Sequence, residues 1–174
     1  MTNLKFGEEN ISKTCFQLEQ MIVNIDTYHC KFSKWRKDIN FDTYGGKCIL
    51  NWKEEPLFAE LFVLRILEEQ QFKGVWVDTY RGKFWEKHPS FSSPVIDLHP
   101  ILRDIYSRIK HNNQNKRKGC WDVLAIRDND ILFVELKRTK KDAIRQSQAD
   151  WLQAGFDAGL TEDNFIIVEW DYSQ

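Results

Sequence analysis

Two short apolar runs, Asp122 to Ile126 and Ile131 to Leu136, lie on either side of Asp128-Asn129-Asp130. This is hairpin chemistry: strand-length runs separated by residues that tolerate a tight turn. Leu124, Ile126, Ile131 and Phe133 line one face of such a hairpin, and Val123, Ala125, Leu132 and Val134 line the other. A sheet that is apolar on both faces is covered on both faces. The chain must therefore build one layer above this hairpin and another below it.

Flanking segments of helical period can supply those layers. Leu57 to Gln70 is apolar almost all round and reads as a buried helix, with Pro56 in its first turn and Gly74 as its stop. Val75 to Tyr80 reads as a strand from its β-branched and aromatic content. Residues 86–97, with Pro89, Pro94 and Ser92-Ser93, read as loop, and Leu98 to His111 as a helix. Asn112 to Gly119 is a polar, basic loop; Asp142 to Gly159 reads as a helix and Phe165 to Trp170 as a last strand. Upstream, Ile11, Cys15, Leu18, Ile22 and Ile25 stand near helical spacing, so a helix is expected between Asn10 and Ile25. The order of helix, strand, insertion, hairpin, helix and strand describes an α/β fold with a central mixed sheet flanked by helices.

A length of 174 residues suits one domain, and seven Trp, five Tyr and twelve Phe provide enough apolar area for its core. With 25 basic and 26 acidic residues the net charge is −1, which argues against a generally basic nucleic-acid binder and confines any such contact to local patches. No apolar run is long enough to span a membrane, and Met1 to Asn10 lacks the apolar stretch of a secretory leader, so a cytoplasmic protein without membrane association is expected. Cys15, Cys30, Cys48 and Cys120 form no Cys-x-x-Cys pair, and His29-Cys30 is the one local His/Cys pairing; four reduced thiols are the simplest reading.

Chemistry concentrates at one end of the hairpin. Glu135 and Lys137 are two residues apart on a strand and share a face. A two-residue Asn129-Asp130 turn would pair Asp122 with Lys137, and a four-residue loop from Arg127 to Asp130 would pair Asp122 with Glu135. Both registers put Asp122 on the shared face, whereas a three-residue loop would put it on the opposite one. Two carboxylates in a poorly solvated cleft repel, and a divalent cation removes that conflict; oxygen donors suit Mg2+ or Mn2+. The simpler alternative is a cross-strand ion pair at a sheet end. Glu60 lies on the apolar stripe of Leu57, Leu61, Leu64 and Leu67, so it needs a metal or a lysine partner unless it reaches water at the helix rim. Gln148 lies on the stripe of Ile144, Trp151 and Leu152, either holding a water or phosphate or bonded to backbone as a core glutamine.

The composite of Gly119-Cys-Trp-Asp122, Phe133-Val-Glu-Leu-Lys137 and Asp142-x-Ile144-x3-Gln148-x2-Trp151-Leu152 resembles the VRR-NUC branch of the PD-(D/E)XK nucleases. It covers Gly119 to Leu152 well, Glu55–Tyr80 and Phe165–Trp170 loosely, and residues 1–50 not at all. The resemblance implies a restriction-endonuclease-like core over 51–174, interrupted by an insertion at about 86–118, behind an N-terminal elaboration over 1–50. It implies Asp122, Glu135 and the Leu136 carbonyl as ligands of Mg2+ or Mn2+, Lys137 as the catalytic lysine, Gln148 as the motif glutamine and Glu60 as the first-helix acid. The implied activity is metal-dependent hydrolysis of phosphodiester bonds in DNA, often branched or flapped, with RNA left open and a homodimer expected by analogy. Trp121 stands where the family usually has Pro. Arg138 and Thr139 replace small residues after the lysine, the loop to Asp142 is one residue longer, and Arg145 replaces a common capping Ser.

Lys116, Arg117 and Lys118 precede Asp122, and Arg138, Lys140, Lys141 and Arg145 follow Lys137. Placed beside a cleft, these side chains would contact phosphates without reading sequence. Tyr80-Arg81-Gly82-Lys83-Phe84-Trp85 adds a basic, aromatic stretch on which bases could stack, although Phe84 and Trp85 suit a core or edge role equally. Two rivals to the nuclease are a catalytically silent nucleic-acid-binding module of the same fold and a partner-binding protein.

Overall fold

The hairpin pairs β7 (Val123–Arg127) with β8 (Asp130–Arg138), matching Ile126 to Ile131 and Arg127 to Asp130. Asp128 and Asn129 form its two-residue turn, with Asp128 at φ 54°. The computed structural model describes residues 4–173; residues 1–3 and 174, at the ends of the segments 1–50 and 51–174, lie outside the described residues.

The hairpin sits inside a seven-stranded mixed sheet. From one edge to the other the order is β1 (Glu8–Gln17), β2 (Ile22–Phe32), β9 (Phe165–Tyr172), β8, β7, β5 (Lys73–Asp78) and β6 (Lys83–Trp85). The β2–β9 and β8–β9 pairs are parallel and the others antiparallel. A parallel return needs a crossover, and α3 (Gln146–Asp157) provides it between β8 and β9. A separate ribbon of β3 (Ile49–Trp52) and β4 (Glu55–Phe58) leads into α1 (Ala59–Glu69).

Both faces of the hairpin are covered. Val123, Ala125 and Val134 pack with Leu61, Leu64 and Leu67 of α1. Leu124, Ile126 and Phe133 pack with Leu102, Ile105 and Ile109 of α2 (Pro100–Asn112) and with Trp151 and Leu152 of α3. No helix among the described residues is long and apolar enough to cross a membrane.

Several expected boundaries move, and one element changes type. The helix expected from Asn10 to Ile25 is instead β1 and the start of β2. Ile11 and Ile22, two members of its supposed stripe, are 50% and 62% exposed, so that stripe is no buried face. The alternation that governs is Val23, Ile25 and Thr27, all buried on one side of β2. Residues up to 50, read as an elaboration, thus include two strands of the same sheet.

Pro56 lies in β4 opposite Asn51, not in a helical first turn, and Leu57 and Phe58 belong to that ribbon strand. α1 ends at Glu69, Gln71 beyond it turns the chain at φ 69°, and Gly74 lies inside β5. The last helix starts at Gln146 because the preceding residues close a turn on β8: the Asp142 carboxylate accepts the Arg138 backbone N–H at 3.0 Å. Gly159, at φ 93°, follows its C-terminus as expected.

Candidate active site

The start of β7 and the end of β8 meet at one end of the sheet. Extending their register by one step sets Asp122 directly opposite Glu135. This is the parity of the second expected register, reached with a tighter turn because Arg127 also pairs with Asp130. Asp122 is fixed by its own carboxylate, which accepts the backbone N–H of Leu136 at 2.9 Å, while its carbonyl accepts the N–H of Val77 at 2.8 Å. A strand residue points its N–H and C=O toward the same neighbour, so the Leu136 carbonyl also faces the place where β7 begins.

Glu135 and Lys137 are buried, 2% and 8% exposed, and form an ion pair at 2.8 Å. Gln148, in the first turn of α3, joins them. Its amide nitrogen donates to Glu135 Oε1, and its oxygen accepts from Lys137 Nζ at 3.0 Å and from the Arg145 backbone N–H at 2.9 Å. Gln148 therefore caps its own helix and holds both charged side chains. Behind it, the indole N–H of the fully buried Trp121 donates to the Gln148 carbonyl at 3.3 Å. Trp121 thus ties Asp122's own segment to α3.

Glu60, in the first turn of α1, approaches from the layer on the other side of the sheet. Its carboxylate pairs with the ammonium of Lys47, which lies 5.7 Å from the Phe58 ring centroid and 5.2 Å from that of Trp76. Lys47 was not singled out from sequence, since it follows a Gly-Gly turn in the stretch least open to reading. The signal was indirect: a buried Glu60 called for a metal or a lysine.

At the inner end of the cleft the carboxylates of Glu60, Asp122 and Glu135 meet the ammonium groups of Lys47 and Lys137, and Asp142, Arg138, Lys141 and Arg145 also line it. Burial, reinforced by the charge of Glu60, pushes Asp122 up to about 7 against the pull of the Leu136 N–H and the two lysines. Burial and then the charge of Asp122 push Glu135 well above the usual carboxylate range, with Lys137 and Gln148 opposing. Burial works against the charge on Lys47, but Glu60, Asp122 and Asp78 outweigh it and hold its ammonium above the ordinary lysine value. Glu135 Oε2 is buried without any hydrogen-bond partner. A bound divalent cation would satisfy that oxygen and favour the ionised form of both carboxyls. Among the described residues no group of three or more His, Cys, Asp or Glu side chains forms a metal cluster, so the donor set on offer is two carboxylates and a backbone carbonyl.

The cleft has a volume of about 520 Å³ and is also lined by Arg138, Lys141 and Arg145. Arg138 is turned back onto the protein, its guanidinium 4.7 Å from the Tyr172 ring centroid. Lys140 is exposed on the turn after β8, at φ 57°. Lys116, Arg117 and Lys118 do not line this cleft; they line a second groove that shares Arg145 and Gln148 with it. Of the cysteines, Cys30 is buried with its thiol pushed up to about 12 by desolvation, and all four are free thiols. Compared with family models, curated proteins and solved structures, the chain matches none.

Proposed function

We propose that this chain is a divalent-metal-dependent nuclease that hydrolyses phosphodiester bonds in DNA, of the PD-(D/E)XK type and closest in its motifs to the VRR-NUC branch. The observation that carries the reading is the facing of the part-buried carboxylate of Asp122 and the buried carboxylate of Glu135 beside the ammonium of Lys137, with one Glu135 oxygen left unsatisfied. The sequence of α1, β5, the β7–β8 hairpin, α3 and β9 supports the same assignment.

In this reading Asp122, Glu135 and the Leu136 carbonyl hold Mg2+ or Mn2+. When bound, the ion polarises the scissile phosphate and neutralises charge on its oxygens. Lys137 orients the attacking water and donates to the phosphoryl oxygen on which charge develops. Gln148 holds Lys137 and Glu135 in register. Glu60, paired with Lys47, adds a carboxylate to the wall of the cleft. Lys141 and Arg145 at its mouth engage backbone phosphates, which adds salt-dependent affinity without sequence preference.

The test is incubation of the protein with plasmid, flap and junction DNA in Mg2+, beside EDTA controls and Glu135→Ala. Cutting that needs both the metal and Glu135 supports the nuclease. A binding module of the same fold draws on the lack of a three-side-chain donor cluster among the described residues. It would be favoured if neither protein cuts any substrate while both retain DNA. A homodimer belongs to the same proposal, and light scattering would test it.

A further inference from the structure

A second groove, of about 620 Å³, opens beside the catalytic cleft between the turn at 79–82 and the loop at 116–120. Lys116, Arg117, Lys118 and Arg145 line it, and no aspartate or glutamate does. In a chain of net charge −1 this is a concentration of one sign, suited to a polyanion.

The walls are built by close packing. Gly119, at φ 89°, brings the basic loop so near the start of α3 that a Cβ there would meet the Ser147 carbonyl oxygen at 1.8 Å. On the opposite wall the Arg117 guanidinium lies against Gly82, where a Cβ would meet its nitrogen at 1.7 Å.

Tyr80 stands at the lip, 91% exposed. It projects from a pinned turn. The Gly82 N–H donates to the Asp78 carbonyl at 2.7 Å, and the buried Asp78 carboxylate accepts the backbone N–H and the guanidinium of Arg81, each at 3.1 Å. An exposed aromatic ring on a pinned turn, beside four cations, combines a stacking face with a phosphate track. A duplex hides the faces of its internal bases, whereas a single strand offers them. The groove also leads somewhere: Arg145 and Gln148 line both it and the cleft, and Gln148 touches Glu135 and Lys137.

We propose that this groove binds a single-stranded stretch of nucleic acid, with Tyr80 stacking on an unpaired base and the four cations holding the backbone. Only the destination of the strand, the cleft, rests on the nuclease reading.

Binding measured in EDTA separates the two ideas. The probes are labelled oligo-dT and oligo-rU of about 16 nucleotides, within the span of known single-strand sites, and a blunt DNA duplex of equal length, followed by fluorescence anisotropy. Wild type should bind at least one of the single strands more tightly than the duplex. Tyr80→Ala should weaken single-strand binding by about tenfold, as loss of one stacking platform does, leave the duplex affinity unchanged, and be rescued by Tyr80→Phe. The Lys116→Ala/Lys118→Ala pair should weaken all probes and flatten the salt dependence. Duplex binding as tight as the tighter of the two single strands, or no effect of Tyr80→Ala, overturns the proposal. A protein that cuts DNA but shows no Tyr80-dependent strand preference loses the groove and keeps the nuclease. One that shows the preference and never cuts loses the nuclease and keeps the groove.

Discussion

The Asp122 carboxylate accepts the backbone N–H of Leu136, the residue between Glu135 and Lys137, at 2.9 Å. One hydrogen bond thereby fixes the distance between the two strands at the point where their functional side chains face each other. It also stabilises the ionised form of Asp122, but burial and the charge of Glu60 outweigh it. A preformed pair of mutually repelling carboxyl groups is the physical core of the proposed site, and its consequences can be measured.

Replacing Glu135 by Gln should cut activity sharply while leaving the fold intact. The amide keeps the volume and removes a charge that burial disfavours. Activity should fall by about 10² to 10³-fold or more, the scale for loss of a group that acts on transition-state charge. Thermal melting without metal should change little, because relief of the disfavoured carboxylate is offset by loss of the counter-charge to Lys137. A variant that cuts at the wild-type rate would remove Glu135 from the chemistry.

Metal-free stability should fall as pH rises. The unfolded chain releases the Asp122 proton near its ordinary value of 3.8, and the folded chain near about 7. Between these values the folded state binds more protons, so stability declines across that window and levels off above it. The loss should be on the order of a few kcal/mol, and Glu135 extends it to higher pH. Asp122→Asn should flatten the melting profile. Mg2+ or Mn2+ should raise the melting temperature most at the alkaline end, where both carboxylates are free to ionise.

Truncating Lys47 to Met should destabilise the protein by about 1–3 kcal/mol, less than for a fully buried pair because Lys47 still meets solvent. The cost comes from leaving Glu60 buried without its counter-charge. Adding Glu60→Gln should recover most of it. Urea melts of the two single variants and the double variant measure that coupling, and independent, additive effects would dissolve the pairing.

Gln148→Met should separate positioning from folding. It keeps the length and apolar stem but removes the bonds to Glu135, Lys137 and the Arg145 N–H. Stability should drop by about 1 kcal/mol through the lost cap, while kcat falls further than KM rises. Equal loss in both constants would reduce Gln148 to a structural part.

The hairpin was the most legible part of the chain, and physics explains why. Its alternation on two faces admits few registers, and the observed one sets Asp122 against Glu135. The N-terminal strands were misread because Ile11, Cys15, Leu18, Ile22 and Ile25 mimic helical spacing. Only the sheet shows that Ile11 and Ile22 face solvent. Lys47 escaped because a lone lysine after two glycines carries no pattern. Its importance arises from a contact with Glu60 that is thirteen residues away in sequence and meaningful only once α1 is packed. The basic stretch at 116–118 was legible as charge, but its separation from the cleft by the start of α3 was not.

The site straddles the rim of the sheet. Lys47 and Glu60 arrive with the layer on one side, and Gln148 with the layer on the other. Neither half-assembled layer can hold the complete group, and its members span a hundred positions of chain. A ribosome-bound fragment or a partly unravelled molecule therefore carries the ingredients without their arrangement. For the nuclease proposed here, competence to act on a phosphodiester would then report completed folding, a built-in safeguard for any polypeptide made in the presence of nucleic acid.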